Sequence, residues 1–357
     1  MKSKTRKPAV LSQPVVDPAA WTAADLDADQ SWIYQLTESD IAELDAAVAR
    51  VEERGLEIMD IQRDDFVLPT LADSLDGISD EVIDGRGIGL IRGVPVHRYS
   101  REQAAIAFWG IGTYLGVPVS QNAKGHLLGH VADLGSHSLK NPKHRGYQTH
   151  DMLPFHCDSS DVVVLMCLHP AKSGGLSRFT SALNVYNEML KRRPELVPEL
   201  AAPIYRDRRG EIPVGKEPWW QLPVFNFYEG YLTVNVGGTY IRSAQRFEEL
   251  PRHSEALKEA LDLCSHLCDE LSYDMEFLQG DVQILHNHVT CHSRTEFEDY
   301  PEPERRRNLL RLWLATPEGR PLPPTYRDRY GHLNDGERPG GGIVVPGTVY
   351  TAPLYPE

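Results

Sequence analysis

The chain has 357 residues, with 37 Lys and Arg against 51 Asp and Glu for a formal charge of −14, and it is 25% charged and 41% hydrophobic. That composition is ordinary for a globular protein with a sizeable core, and its sign excludes the basic surface that non-specific nucleic-acid binding needs. There is no apolar run of about 18 residues for a membrane span and no apolar stretch after the basic start for a signal peptide, while five scattered cysteines suit reduced thiols, so a cytoplasmic protein is expected.

Residues 1–30 mix charge, Pro and Ala without periodicity and are expected to form an extended or mobile arm. Residues 31–357 are expected to form a single domain, with a core at about 85–330 and a Pro- and Gly-rich tail from 321 to 357 wrapping its surface. A helix should begin at Thr37 or Ser39, carry Ile41, Leu44, Val48 and Val51 on one stripe, and stop at Gly55. Ile88 to Ile91 reads as a buried strand with Val94-Pro95-Val96 as its exit. Gly85, Gly87 and Gly89 lead into this strand, whereas a dinucleotide fingerprint opens a helix, so they read as turn glycines.

Ser100 with Gln103 predicts a capping box for a second helix running through Ile106, Phe108 and Trp109 toward Leu115. Residues 120–150 are rich in His, Gly and Asn and read as a loop with short strands. The run from Asp161 to Leu168 is strongly β-prone, Gly174-Gly175 marks a turn, and Leu183 to Leu190 predicts a short helix ended near Pro194. Short strands separated by Pro and Gly fill 201–245. Ser254 starts a helix bearing Leu257, Leu261, Cys264, Leu267 and Leu271, and Val282 to Leu285 and Asn308 to Leu314 read as strands. Many short strands interrupted by helices suit a closed or sandwiched β core with helical cover.

Alternation on a strand puts His156 and Asp158 on one face and Cys157 on the other. An imidazole and a carboxylate side by side can share a divalent ion, and His292 is the candidate third ligand. Two His and one carboxylate leave half of an octahedral ion open, which suits Fe(II) that must take a bidentate co-substrate and O2 together, whereas a structural zinc site is closed by four ligands. Taken alone, His-x-Asp reads more readily as a hydrogen-bonded strand residue followed by a turn cap than as a metal site.

The surrounding residues carry more. Gly146-Tyr147-Gln148-Thr149, Leu153-Pro154-Phe155-His156-Cys157-Asp158, Asp161-Val162-Val163 and Ser173-Gly174-Gly175-Leu176-Ser177 form one block. Gly280-Asp281, Asn287, Cys291-His292-Ser293-Arg294 and Arg306-Arg307-Asn308 through Leu314 form another. Over about 85–330 the chain resembles the taurine dioxygenase-like (TauD/TfdA) family of Fe(II)/2-oxoglutarate oxygenases.

The resemblance implies a mainly β fold with flanking helices around a double-stranded β-helix (jelly-roll) core. It implies His156, Asp158 and His292 as iron ligands, Arg307 as the arginine on the far carboxylate of 2-oxoglutarate, and Ser177 in the place of a Thr that bonds the same group. Arg311, on the same strand face as Arg307, looks like the family's second arginine, which meets co-substrate or an acidic substrate. It further implies O2-dependent hydroxylation of an unactivated C–H bond in a small organic substrate, with release of succinate and CO2. Desaturation or ring closure would use the same ligands, and halogenation is disfavoured because Asp158 supplies a carboxylate that related halogenases lack. Arg305-Arg306-Arg307 leaves the register of the anchoring arginine open, although a dicarboxylate needs a fixed guanidinium fork in any register.

Alternative readings remain on the residues. His286, His288 and His292 could make a cupin-like or hydrolytic metal site, and a vestigial site could bind 2-oxoglutarate without turnover. His126 and His130 read as polar loop residues, Cys264 and Cys268 as buried small apolar groups, and Trp219, Trp220, Phe225, Phe227 and Tyr228 as core or lid packing. A small-molecule substrate is expected, with no nucleic-acid or membrane partner. A homo-oligomer is compatible with the sequence.

Overall fold

The computed structural model describes residues 5–135, 146–331, 338–340 and 342–357. Part of the loop expected at 120–150 therefore lies outside the described residues. Two sheets face each other. The larger has the order Ile33–Gln35, Ile88–Arg92, Val282–His286, Val162–His169, Asn308–Ala315 and Val117–Pro118, and Leu128–Val131 also pairs with Asn308–Ala315. The smaller has the order Tyr273–Met275, Ser177–Ser181, Thr290–Arg294, Leu153–His156. Every pairing is antiparallel except that of the first two strands of the large sheet.

Alternation explains how these strands feed three apolar layers. In Val162–His169, Val162, Val164, Met166 and Leu168 face outward with Leu310 and Leu312, against helices Glu38–Arg54, Leu71–Asp84 and Arg101–Gly112. Val163 and Cys167 point inward, with Leu309, Trp313, Phe179 and Leu285, and fill the space between the sheets. Behind the small sheet, Val289 and Cys291 meet helices Ala182–Arg192 and Glu255–Glu270. A strand buried on both faces reads as a continuous apolar run, as this one does.

The expected caps are present. Thr37 closes a capping box with Asp40, Gly55 ends that helix in the left-handed region at φ +61°, and Ser100 closes a box with Gln103. The second helix stops at Gly112, short of Leu115. Leu71–Asp84 and Gly238–Ala244 are helices that the sequence reading missed, the first because Gly77 interrupts its pattern. His130 is not a loop residue, because it lies on a strand opposite Leu310, whereas His126 lies outside the strands with one isolated bridge to Thr351.

The N-terminal segment is extended in part but packed. Val15, Ala19, Trp21 and Leu26 are buried, and Asp17 accepts from Arg6 at 2.7 Å and from Arg320 at 2.9 and 3.0 Å. The C-terminal tail lies along Gly125 to Leu127, where Leu127 N–H donates to the Thr351 carbonyl at 2.8 Å. Gly125 at φ +84° permits that approach, since a Cβ there would sit 2.2 Å from the Val349 oxygen.

A buried polar knot closes the base of the sandwich. Asp161 accepts from His288 Nε2 at 2.8 Å, from Arg338 at 2.6 and 2.9 Å, and from the Thr316 amide at 2.8 Å. Burial pushes His286 and His288 below their ordinary range despite Asp161, so both stay neutral in the folded protein. Unfolded histidines take up protons below about pH 6.5, so the native state loses stability as pH falls through that value. Asp161 adds to the loss at lower pH: burial alone would raise it, yet His288 and Arg338 hold it below its usual range. We expect the Tm of metal-free protein to be several degrees lower at about pH 5.5 than at about pH 7.5. Equal melting curves at the two pH values would contradict this account.

Candidate active site

The small sheet and the loop that leaves it assemble the site. Antiparallel pairing sets His156 directly opposite His292, and their rings lie 4.3 Å apart between centroids. Asp158 follows where the strand has ended, and its amide donates to Asn287 Oδ1 at 3.1 Å. His156 Nε2 lies 3.9 Å from Asp158 Oδ1, and His292 Nε2 lies 3.7 Å from Asp158 Oδ2. The three donor atoms fall within 4.8 Å of one another, and among the described residues no other group of His, Cys, Asp and Glu does so.

The protonation states suit a metal. Burial and neighbouring His156 push His292 down to about 3, leaving it neutral. Burial would raise Asp158, but the Arg311 guanidinium and the hydrogen bond from Trp313 outweigh it and keep the carboxylate ionised. Neutral imidazole and carboxylate are the ligand-competent forms. His156 Nδ1 faces the Pro154 carbonyl at 2.9 Å, a contact that places the proton on Nδ1 and frees Nε2 toward Asp158. This donor set fits a mononuclear Fe(II) site with open positions.

Asn308–Ala315 supplies the adjoining wall. Its period of two aims Leu309, Arg311 and Trp313 inward, and Arg307, just before it, lines the same cavity. Trp313 Nε1 donates to Asp158 Oδ2 at 2.9 Å, and Arg311 Nη1 stands 3.7 Å from the same oxygen. Arg311 Nε donates to Gln121 Oε1 at 2.7 Å, and its guanidinium lies against the rings of Tyr147 and Trp313. Arg311 thus braces Asp158.

Arg307 is 4% exposed and its Nη1 has no hydrogen-bond partner, whereas Arg305 and Arg306 are exposed. Burial lowers Arg307 to about 10. Arg294, 5% exposed, lies against the same Phe297 ring as Arg307, and its Nη1 is likewise unpartnered. Ser177 Oγ donates to Gln283 Oε1 at 2.8 Å nearby. Two buried guanidinium groups with unpartnered nitrogens on one cavity wall make a seat for a carboxylate.

His156, Asp158, His292, Ser177, Arg294, Arg307 and Arg311 all line one cavity with an empty volume of about 1320 Å³, its open mouth included. His286 and His288 do not join the triad. Both are fully buried, His288 is held by Asp161, and the rival site on His286, His288 and His292 is not assembled. The roles of Trp313, Gln121, Gln283 and Arg294 escaped the sequence reading. Extending the Arg307–Arg311 alternation by two residues points to Trp313, while Gln121 had no sequence signal at 190 residues' separation.

A family model described as the taurine catabolism dioxygenase TauD, TfdA family matches residues 53–313. The chain is 30% identical over 318 residues to FR-33289 synthase of Streptomyces rubellomurinus, covering 88% of this chain and 94% of that protein. It is 31% identical over 309 residues to the taurine hydroxylase-like protein SAT17 of Stachybotrys chartarum, covering 83% and 78%. An asparagine oxygenase bound to Fe(II), 3-hydroxyasparagine and succinate superposes with TM-score 0.64 at 18% identity, over 88% of this chain and 99% of that one. The non-heme iron oxygenase OrfP, bound to Fe and α-ketoglutaric acid, superposes with TM-score 0.61 at 16% identity, over 79% and 94%. These two establish the double-stranded β-helix fold. No helix among the described residues is long and apolar enough to cross a membrane. The chain belongs to the TauD, TfdA family and is an Fe(II)- and 2-oxoglutarate-dependent oxygenase.

Proposed function

We propose that His156, Asp158 and His292 hold the iron, that Arg307 and Ser177 seat the far carboxylate of 2-oxoglutarate, and that the enzyme hydroxylates an unactivated C–H bond of a small polar molecule. The observation that carries this reading is one cavity containing both the three-donor cluster and the unpartnered, buried Nη1 of Arg307. Iron bound there supplies O2 activation and C–H oxidation, with 2-oxoglutarate leaving as succinate and CO2.

The protein's own contribution is positional. Trp313 and Arg311 fix the Asp158 carboxylate, the Pro154 carbonyl fixes the His156 tautomer, and buried Arg307 anchors one end of the dicarboxylate. Arg209, Glu211, Thr239 and Tyr240 also line the cavity and offer polar contacts to a substrate. The hydroxyasparagine bound by the asparagine oxygenase is a ligand of that polarity. Five free cysteines support a cytoplasmic setting.

The test supplies Fe(II), 2-oxoglutarate and O2, screens small polar substrates, and follows succinate and O2 uptake together. Coupled formation of succinate is expected. Metal-dependent turnover of a substrate without O2 or 2-oxoglutarate would replace this reading with a hydrolytic one.

A further inference from the structure

Four of the five cysteines form a row behind the metal cluster. Cys157 Sγ lies 3.8 Å from Cys291 Sγ. Cys264 and Cys268, one helical turn apart on Glu255–Glu270, are buried in the same apolar cluster as Cys291. Cys157 follows His156 where its strand ends and Cys291 precedes His292, so the two sulfurs meet beside the His156–His292 pair. Cys157 lies between His156 and Asp158 in the chain, and Cys291 immediately precedes His292. The row therefore begins where all three donor residues are held. Cys157 is half-buried, whereas the other four cysteines are buried.

We propose that Cys157 and Cys291 are a redox-sensitive pair, oxidised by a small peroxide to a disulfide that loosens the metal site. Hydrogen peroxide meets the row at Cys157. A bond forms between Sγ and one peroxide oxygen, the O–O bond breaks, and water leaves a sulfenic acid. Cys291 Sγ then attacks the Cys157 sulfur, the S–S bond forms, and the sulfenic oxygen departs as a second water with the Cys291 proton. In sum, two thiols lose two electrons to one peroxide, giving one disulfide and two waters.

The sulfurs must close from 3.8 Å to about 2.05 Å. Val236 N–H donates to Cys157 Sγ at 3.4 Å, and Cys157 N–H donates to the Val236 carbonyl at 2.8 Å, so the Cys157 side chain cannot swing without disturbing its backbone. Any shift passes directly to His156 and Asp158 on one side and to His292 on the other. The effect on iron rests on the ligand assignment proposed above, whereas the cross-link itself does not.

The experiment treats metal-free, full-length protein with hydrogen peroxide, then reads free thiols, intact mass, linked peptides and anaerobic Fe(II) binding. The expected result is a drop from five thiols by two, a mass loss of about 2 Da, and one peptide joining Cys157 to Cys291. Fe(II) affinity should fall by roughly tenfold or more relative to reduced protein, and dithiothreitol should restore it. In Cys291→Ala, which has no thiol opposite Cys157, a 1,3-diketone probe should label Cys157 as sulfenic acid. Five surviving thiols, a cross-link between another pair, or cross-linked protein that binds Fe(II) as tightly as reduced protein would overturn the proposal. Failure of the reduced protein to bind Fe(II) would instead count against the ligand assignment, while the mass and peptide data would still decide the cross-link.

Discussion

Asp158→Asn is expected to abolish 2-oxoglutarate turnover while leaving the fold intact. Asp158 sits within 3.9 Å of His156 Nε2 and 3.7 Å of His292 Nε2, so it completes the donor cluster. Losing a partner that merely orients a ligand costs about 10- to 100-fold in metal affinity or activity, and losing the ligand itself should exceed that. The Asn variant keeps an oxygen to accept from Trp313 Nε1, which now bonds Asp158 at 2.9 Å. Asp158→Ala would leave that indole without its acceptor, a cost of about 1–3 kcal/mol for an unsatisfied buried group. Stability and activity are therefore best separated in the Asn form. His292→Ala should abolish turnover as well. Succinate release at the wild-type rate in either variant, with wild-type Tm, would end the assignment of these ligands.

Arg307→Met should raise the KM for 2-oxoglutarate far more than it lowers kcat. A charge-assisted hydrogen bond is worth about 1.5–3 kcal/mol, or roughly 10- to 150-fold in affinity. The same change should erase the preference for 2-oxoglutarate over 2-oxopentanoate, which lacks the second carboxylate. Arg305→Ala and Arg306→Ala should leave KM unchanged, since both side chains are exposed and Arg305 lies over the Tyr300 ring, 3.7 Å from its centroid. A KM effect at Arg305 with none at Arg307 would move the anchor to the other residue. Methionine fills the buried space without a charge, so loss of packing is a minor part of the change.

The register among the three arginines illustrates what a sequence can and cannot carry. Alternation alone allowed Arg305 and Arg307 to share a face. The strand proper begins at Asn308, and Arg305 ends a short 3-10 turn, so only Arg307 enters the sandwich. Similarly, the sequence allowed Arg311 to meet either co-substrate or substrate. In the fold it contacts Asp158, Gln121 and two aromatic rings while lining the same cavity. The rival histidines were separable only in space: both are fully buried, and His288 is held by Asp161, apart from the donor cluster.

By itself the sequence determined the strands with continuous apolar runs, the capped helices, the family, and the His-x-Asp that starts the metal cluster. Those features are local, or recur as short motifs, so neighbouring residues are enough to reveal them. Only the tertiary structure decided that His292 stands opposite His156, that Trp313 and Gln121 orient Asp158 and Arg311, and that Cys157 faces Cys291. Each of these joins residues more than a hundred positions apart in the chain. Such contacts depend on sheet register, which follows from how both faces of each strand are buried together and not from any one segment.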